Sequence, residues 1–157
     1  VTVTYRGRFV QEAGGSPTMR SGAIARDAEP GTMSTVNEND LFNLDGRRFA
    51  MVSSTASRVD PAAPTRFAYA EADGVVWGSY EGDTVVHGRF VGARRGAEVQ
   101  LNYVHLTKQS AHPVAGSSTN RIELLQDGRI RLVEEFQFEG DDTPQVSICE
   151  EILRGGL

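Results

Sequence analysis

Four pairings of aspartate with glycine punctuate this chain, at Asp73/Gly74, Gly82/Asp83, Asp127/Gly128 and Gly140/Asp141, each between runs rich in Val, Ile, Tyr, Phe and Trp. A two-residue hairpin needs positive φ at its centre, which glycine adopts freely and aspartate tolerates, so these pairs mark antiparallel turns. Taken as boundaries, they predict eight strands: Arg47 to Ser54, Thr65 to Glu71, Val75 to Tyr80, Thr84 to Ala93, Ala97 to Thr107, Ser118 to Gln126, Arg129 to Glu139 and Gln145 to Leu153. Pro61, Pro64, Pro113 and Pro144 fall in the expected connections, where no ladder N–H is needed. The fold class is therefore all-β. Eight strands with mostly short links suffice to close an antiparallel up-and-down barrel, which abolishes both sheet edges. Hardly any helical period follows Leu44, and Asp40 to Leu44 suit either a turn of helix or a lead into the barrel.

With 157 residues, the chain is expected to hold one domain. Residues 1–33 read as a flexible N-terminal arm and 34–157 as a single barrel domain, because Gly14, Gly15, Ser16, Pro17, Pro30 and Gly31 break any period. Met33, followed by Ser34, Thr35, Val36 and Asn37, resembles a translation start. The competing reading of this region is an ordered additional strand from Thr2 to Val10.

Sixteen basic against twenty-one acidic residues give a net charge of −5, which argues against attraction to a nucleic-acid backbone. No apolar run approaches the roughly 20 residues of a membrane helix, so no membrane partner is expected. Cys149 is the single cysteine and excludes an intramolecular disulfide, which suits a reducing compartment. The expectation is a cytoplasmic protein. His87, His105 and His112 lack the spacing of a metal site, and no phosphate-binding loop implies a cofactor.

Candidate site residues follow from strand faces. A two-residue turn at Asp127/Gly128 would pair Gln126 with Arg129 and set Arg121 opposite Glu134. The corresponding count across Gly140 to Pro144 pairs Glu139 with Gln145 and brings Glu150 beside Glu134. Ile130, Leu132, Phe136, Phe138, Val146, Ile148 and Ile152 would share that face. Arg121, Glu134 and Glu150 are thus expected as a polar row on an apolar surface, either a structural charge cluster or a site. A bulge in either strand would dissolve the row. On the strand from Ala97, Val99, Leu101, Tyr103 and His105 alternate with Gln100, Asn102, Val104 and Leu106, so Tyr103 and His105 point inward together. Trp77 and Tyr80 are either core or the wall of a ligand pocket. Gly78, Gly88 and Gly92 are expected where an aromatic ring covers a bend.

The run Asn43, Leu44, Asp45, Gly46, Arg47, then Phe67 and Tyr69, Val76 to Tyr80, Tyr103 with His105, Ser117 to Thr119 and Asp127 to Leu132 carry a family likeness. Together, Leu44 to Leu153 resemble a bacterial family of small avidin-like β-barrel proteins, many of which bear the name N-acetylglutamate synthase. The Glu134, Phe136, Phe138 strand corresponds to a Glu- and Trp-rich strand in those relatives, with phenylalanine here in place of tryptophan, which implies a different ligand if that strand lines a pocket. Acetyl transfer itself would need amides of a glycine loop opening a helix to hold the acetyl-CoA pyrophosphate. The nearest segment, Arg89 to Arg94, ends in arginine and leads into a strand, so the synthase activity is unsupported.

Three functions remain open. The first is an avidin-like or lipocalin-like binder of a small molecule, with Trp77, Tyr80, Tyr103, His105, Arg121, Glu134 and Glu150 as contacts. The second is a small barrel cyclase, isomerase or hydrolase with Glu134, Glu150 or His105 as acid or base and Arg121 steadying negative charge. The third is a structural homo-oligomer with a filled core and an exposed apolar face.

Overall fold

The computed structural model describes residues 37–155. The expected arm, the Met33 start and the Thr2 to Val10 strand lie outside the described residues. A single helical turn, α1 (Glu38–Leu41), is capped by the Asn37 side chain, which accepts from the Asn39 N–H. Eight strands follow: β1 (Arg48–Ser54), β2 (Arg66–Ala72), β3 (Val75–Gly82), β4 (Val85–Arg95), β5 (Glu98–Thr107), β6 (Ser110–Leu124), β7 (Ile130–Phe138) and β8 (Gln145–Glu151). Each pairs antiparallel with its neighbour, and β8 returns to β1, so the sheet closes into a barrel. Among the described residues, no helix is long and apolar enough to cross a membrane.

Strand bounds agree with the sequence reading within two residues everywhere but β6, which starts at Ser110 rather than Ser118. Its hairpin with β5 turns at Lys108 and Gln109, a pair with none of the residues that announce a tight turn. Pro113 consequently lies within β6, not in a connection. It sits where β6 has not yet met β7, whose pairing begins only at Gly116, and the ladder there loses nothing to the missing N–H.

Two registers differ from expectation, and both differences matter. The β6–β7 turn holds three residues, since Leu125 N–H donates to the Arg129 carbonyl and Gly128 takes φ +85°. This is a type of hairpin that ends in a left-handed residue, and it consumes one residue more than a two-residue turn. Glu134 therefore faces Asn120, while Arg121 faces Val133. Across the next connection Phe136 pairs with Gln145, which places Ser147 beside Glu134 and Glu150 beside Arg131. Each shift is odd, so every side chain on the partner strand changes face. The row of Arg121, Glu134 and Glu150 does not exist, and Ser147, Cys149 and Glu151 occupy the inner face in place of Val146, Ile148 and Ile152.

Three rings inside the barrel lie over glycines on the adjacent strand. Phe90 covers Gly78, Tyr80 covers Gly88 and Tyr103 covers Gly116, each pair being direct cross-strand neighbours. A β-carbon at any of these glycines would collide with the ring. Gly92 differs, because what lies against it is the Gln100 backbone rather than a ring.

The two ends of the barrel are unlike. At one end the chain from α1 to Arg47 crosses the bottom, where Leu44 is fully buried. Its N–H donates to Glu71 Oε2 at 2.8 Å, and Arg94 closes on Glu71 at 2.7 Å, with side chains only 7% and 2% exposed. A second pair, Arg47 to Glu151 at 2.9 Å, ties the same segment to β8, and Glu151 also accepts the Ile130 N–H. Phe49, Val76, Val99, Ile122, Ile130 and Leu132 fill the barrel above this floor. A carboxylate buried this deeply persists only when paired and hydrogen-bonded, and both conditions are met.

Candidate ligand site

The opposite end is open. A cavity of about 420 Å³ descends from the mouth into the barrel. Its rim is formed by the β1–β2 connection, through Ala56 and Ser57, and by the β3–β4 turn, through Asp83 and Thr84. The walls are aromatic. Phe67 stacks on Tyr80 with centroids 5.2 Å apart, Tyr69 meets Phe90 at 4.5 Å, and Tyr103 meets Phe136 edge to face at 6.5 Å. Rings that pack on one another in this way hold a cavity open, because their positions are fixed by neighbours rather than by a ligand.

Glu134 lies at the depth of the cavity. It is half-buried by exposed area, and since it lines the cavity while protein surrounds it, that remaining area opens inward. Ser147 donates to its Oε2 at 2.7 Å; Ser118 and Asn120, bonded to each other at 3.2 Å, stand beside it. Loss of water raises the Glu134 pKa above its ordinary value, and the Ser147, Ser118 and Asn120 groups only partly offset that rise. The same burial raises Tyr69 and Cys149, with the Glu134 charge adding to both. Among the described residues, no lysine or arginine lines the cavity.

Higher in the wall, the Tyr80 hydroxyl and His105 Nδ1 are 2.8 Å apart. Burial, then the neighbouring Tyr103 and Glu134, raise the Tyr80 pKa far above its usual value, so this hydroxyl keeps its proton and can donate it. Burial lowers the pKa of His105, which favours the neutral ring. The neutral ring has one donor and one acceptor nitrogen, and the Tyr80 hydroxyl can serve either role at Nδ1. Tyr103 is pushed up to about 12 by burial and by Glu134, and its hydroxyl donates to the Gln137 carbonyl at 2.9 Å.

Tyr80, Tyr103, His105 and Glu134, four of the seven residues singled out as ligand contacts, are thus brought together around one cavity. The other three are elsewhere. Trp77 points outward beside Val91 and is 44% exposed, because the inward positions of β3 are Val76, Gly78 and Tyr80. Arg121 is on the outer surface, paired with Glu123 at 2.9 Å, and Glu150 is held there by Arg131 at 2.8 Å. Sequence reasoning gave no site role to Ser147, Ser118 or Asn120; of these only Ser118 falls in a stretch that carries the family likeness, and a correct register was needed to place all three beside Glu134. Phe136 and Phe138 line the cavity.

The model of the avidin-like protein family matches residues 42–152. The chain belongs to that family. Among curated proteins and solved structures, none matches it. The avidin-like match begins at the segment that crosses the barrel bottom and ends one residue past β8, so it spans the whole closed sheet. In this avidin-like barrel, Arg89 to Arg94 lie within β4 and open no helix, so this segment offers no loop of amides for a pyrophosphate.

Proposed function

We propose that this avidin-like protein is a small-molecule binder whose ligand enters the open end and rests against Glu134. The observation that carries this reading is the cavity itself, ring-walled, open at one end, and ending in a few convergent polar groups, the usual composition of a small-ligand site. At about 30 Å³ per water, its volume is the room of roughly a dozen waters, and a ligand of comparable heavy-atom count fits. Catalysis is the weaker reading, since Arg121 and Glu150 face solvent and only Glu134 and His105 remain as candidate acid or base. We place the protein in the cytoplasm, a reading that the buried free thiol of Cys149 supports.

Native mass spectrometry of the protein purified from its own host tests the binder. A stoichiometric adduct, lost when Val114→Trp fills the mouth, is the expected result. An empty wild-type protein that also takes up no apolar probe overturns it. Self-association is a compatible second reading, favoured by Trp77, Val91 and Val104, which lie exposed on neighbouring strands of the outer face. Light scattering on the wild type and on Trp77→Lys would detect it as a mass that falls to one chain in the variant.

A further inference from the structure

Resting on the binder reading, we propose that the ligand is a small organic cation, an ammonium group carried on an apolar body. The cavity has a charge of one sign. Its acidic residues are Glu134 at the depth and Asp83 at the rim, and no lysine or arginine among the described residues lines it. An anionic ligand would meet a buried carboxyl with nothing to neutralise either charge, at high cost. A neutral apolar ligand would leave the carboxyl unused. An ammonium satisfies both features, pairing with Glu134 while the faces of surrounding rings attract its charge.

The walls supply those rings from five strands. Tyr69 and Phe67 come from β2, Tyr80 from β3, Phe90 from β4, Tyr103 from β5, and Phe136 and Phe138 from β7. A ring-lined pocket closed by one carboxyl is the arrangement that physical chemistry assigns to ammonium recognition. Dry surroundings strengthen the attraction, because the charge of Glu134 is screened by little water once the site is filled.

A pH dependence follows. The titratable or polar groups facing Glu134 are Tyr69 on β2, Tyr80 on β3, Tyr103 on β5, Ser118 and Asn120 on β6, and Ser147 and Cys149 on β8; none is cationic. Protonating Glu134 removes the anion that a cation seeks, so affinity for a fixed cation rises with pH as Glu134 ionises. His105, once protonated in acid, repels the same cation and acts in the same direction.

Phenyltrimethylammonium and tert-butylbenzene have the same shape and differ by one charge, which makes them the probes. NMR titration of the wild type is expected to give binding about tenfold tighter for the cation, weakening as pH falls. Glu134→Gln is expected to lose that preference while still binding tert-butylbenzene, and any pH dependence that survives belongs to His105. Equal binding of the two probes by the wild type overturns the cation assignment and leaves the binder reading standing. A preference that persists undiminished in Glu134→Gln overturns the pairing with Glu134 and leaves the rings alone to hold the cation. Should the variant fail to fold, a cation affinity in the wild type that does not change with pH overturns the role of Glu134. Binding of neither probe overturns cation and cavity together.

Discussion

Glu134 and His105 work against each other at the level of single residues. The carboxyl has a folded pKa raised by burial above 4.5, so the native state holds its proton when the unfolded chain has lost it. Stability from this group is present below pH 4.5 and is lost as pH rises through the folded pKa. His105 has a pKa lowered from 6.5, so the unfolded chain takes up a proton first and stability is lost as pH falls below 6.5. Urea unfolding of wild type and Glu134→Gln across pH 4 to 8 separates the two. The variant is expected to be the more stable at neutral pH and to lose the descending slope. A variant less stable than wild type at pH 7 would mean that the carboxylate is required by the fold. The partner of His105 is testable in the same way. Burial lowers the His105 pKa; where the Tyr80 hydroxyl donates to Nδ1 it favours the neutral ring further, and in Tyr80→Phe an NMR titration should then find that pKa moved up toward 6.5. An unchanged pKa would mean that burial alone sets it.

Strands and turns explain why some of this was legible and some was not. The Asp73/Gly74 pair sits in a left-handed turn, with φ of 51° and 75°, as its residues announce. The Asp127/Gly128 pair announces a turn equally well but leaves its length open, and a third residue was enough to send Arg121 outward. The inner face was readable from one strand for Tyr103 and His105 but not for Trp77, which is three residues from Tyr80 and so on the opposite face; elsewhere the reading failed where two strands had to be aligned through a turn. The ion pairs at the barrel floor were invisible for a related reason, since Glu71 and Arg94 meet only once β2, β3 and β4 are paired. Arg94→Ala would strand the Glu71 charge in the interior, at an expected cost of about 3 kcal/mol in chemical denaturation, whereas an exposed pair would cost under about 1 kcal/mol. The rings over glycines make a second prediction. Gly88→Ala drives a methyl into Tyr80 and should cost roughly 1 to 3 kcal/mol. In a Tyr80→Ala background that cost should largely vanish, and a double-mutant cycle with no coupling would refute the contact.

For the molecule as a whole, closure is the governing fact. A closed sheet has no edge from which to fray, so amides throughout the paired ladder are expected to exchange together, near the free energy of global unfolding. One region escapes this rule. Ser110 to Val114 of β6 pair only toward β5, because β7 begins to pair at Gly116, and the hairpin extends past the body of the barrel. Hydrogen exchange by mass spectrometry should find this stretch opening well before Gly116 to Arg121, which have neighbours on both sides. The difference bears on function, because Val114 lies opposite His105 and both line the cavity. A ligand seated there would touch the least stable part of the ladder, and binding to the folded state alone must lower the population of the opened form. Added ligand is therefore expected to slow exchange in Ser110 to Val114 first, while the floor built around Glu71 and Arg94 changes only with global stability. Equal exchange along all of β6 would mean that the projecting hairpin is held by contacts other than its ladder. Protection confined to the floor would place the ligand at the wrong end of the barrel.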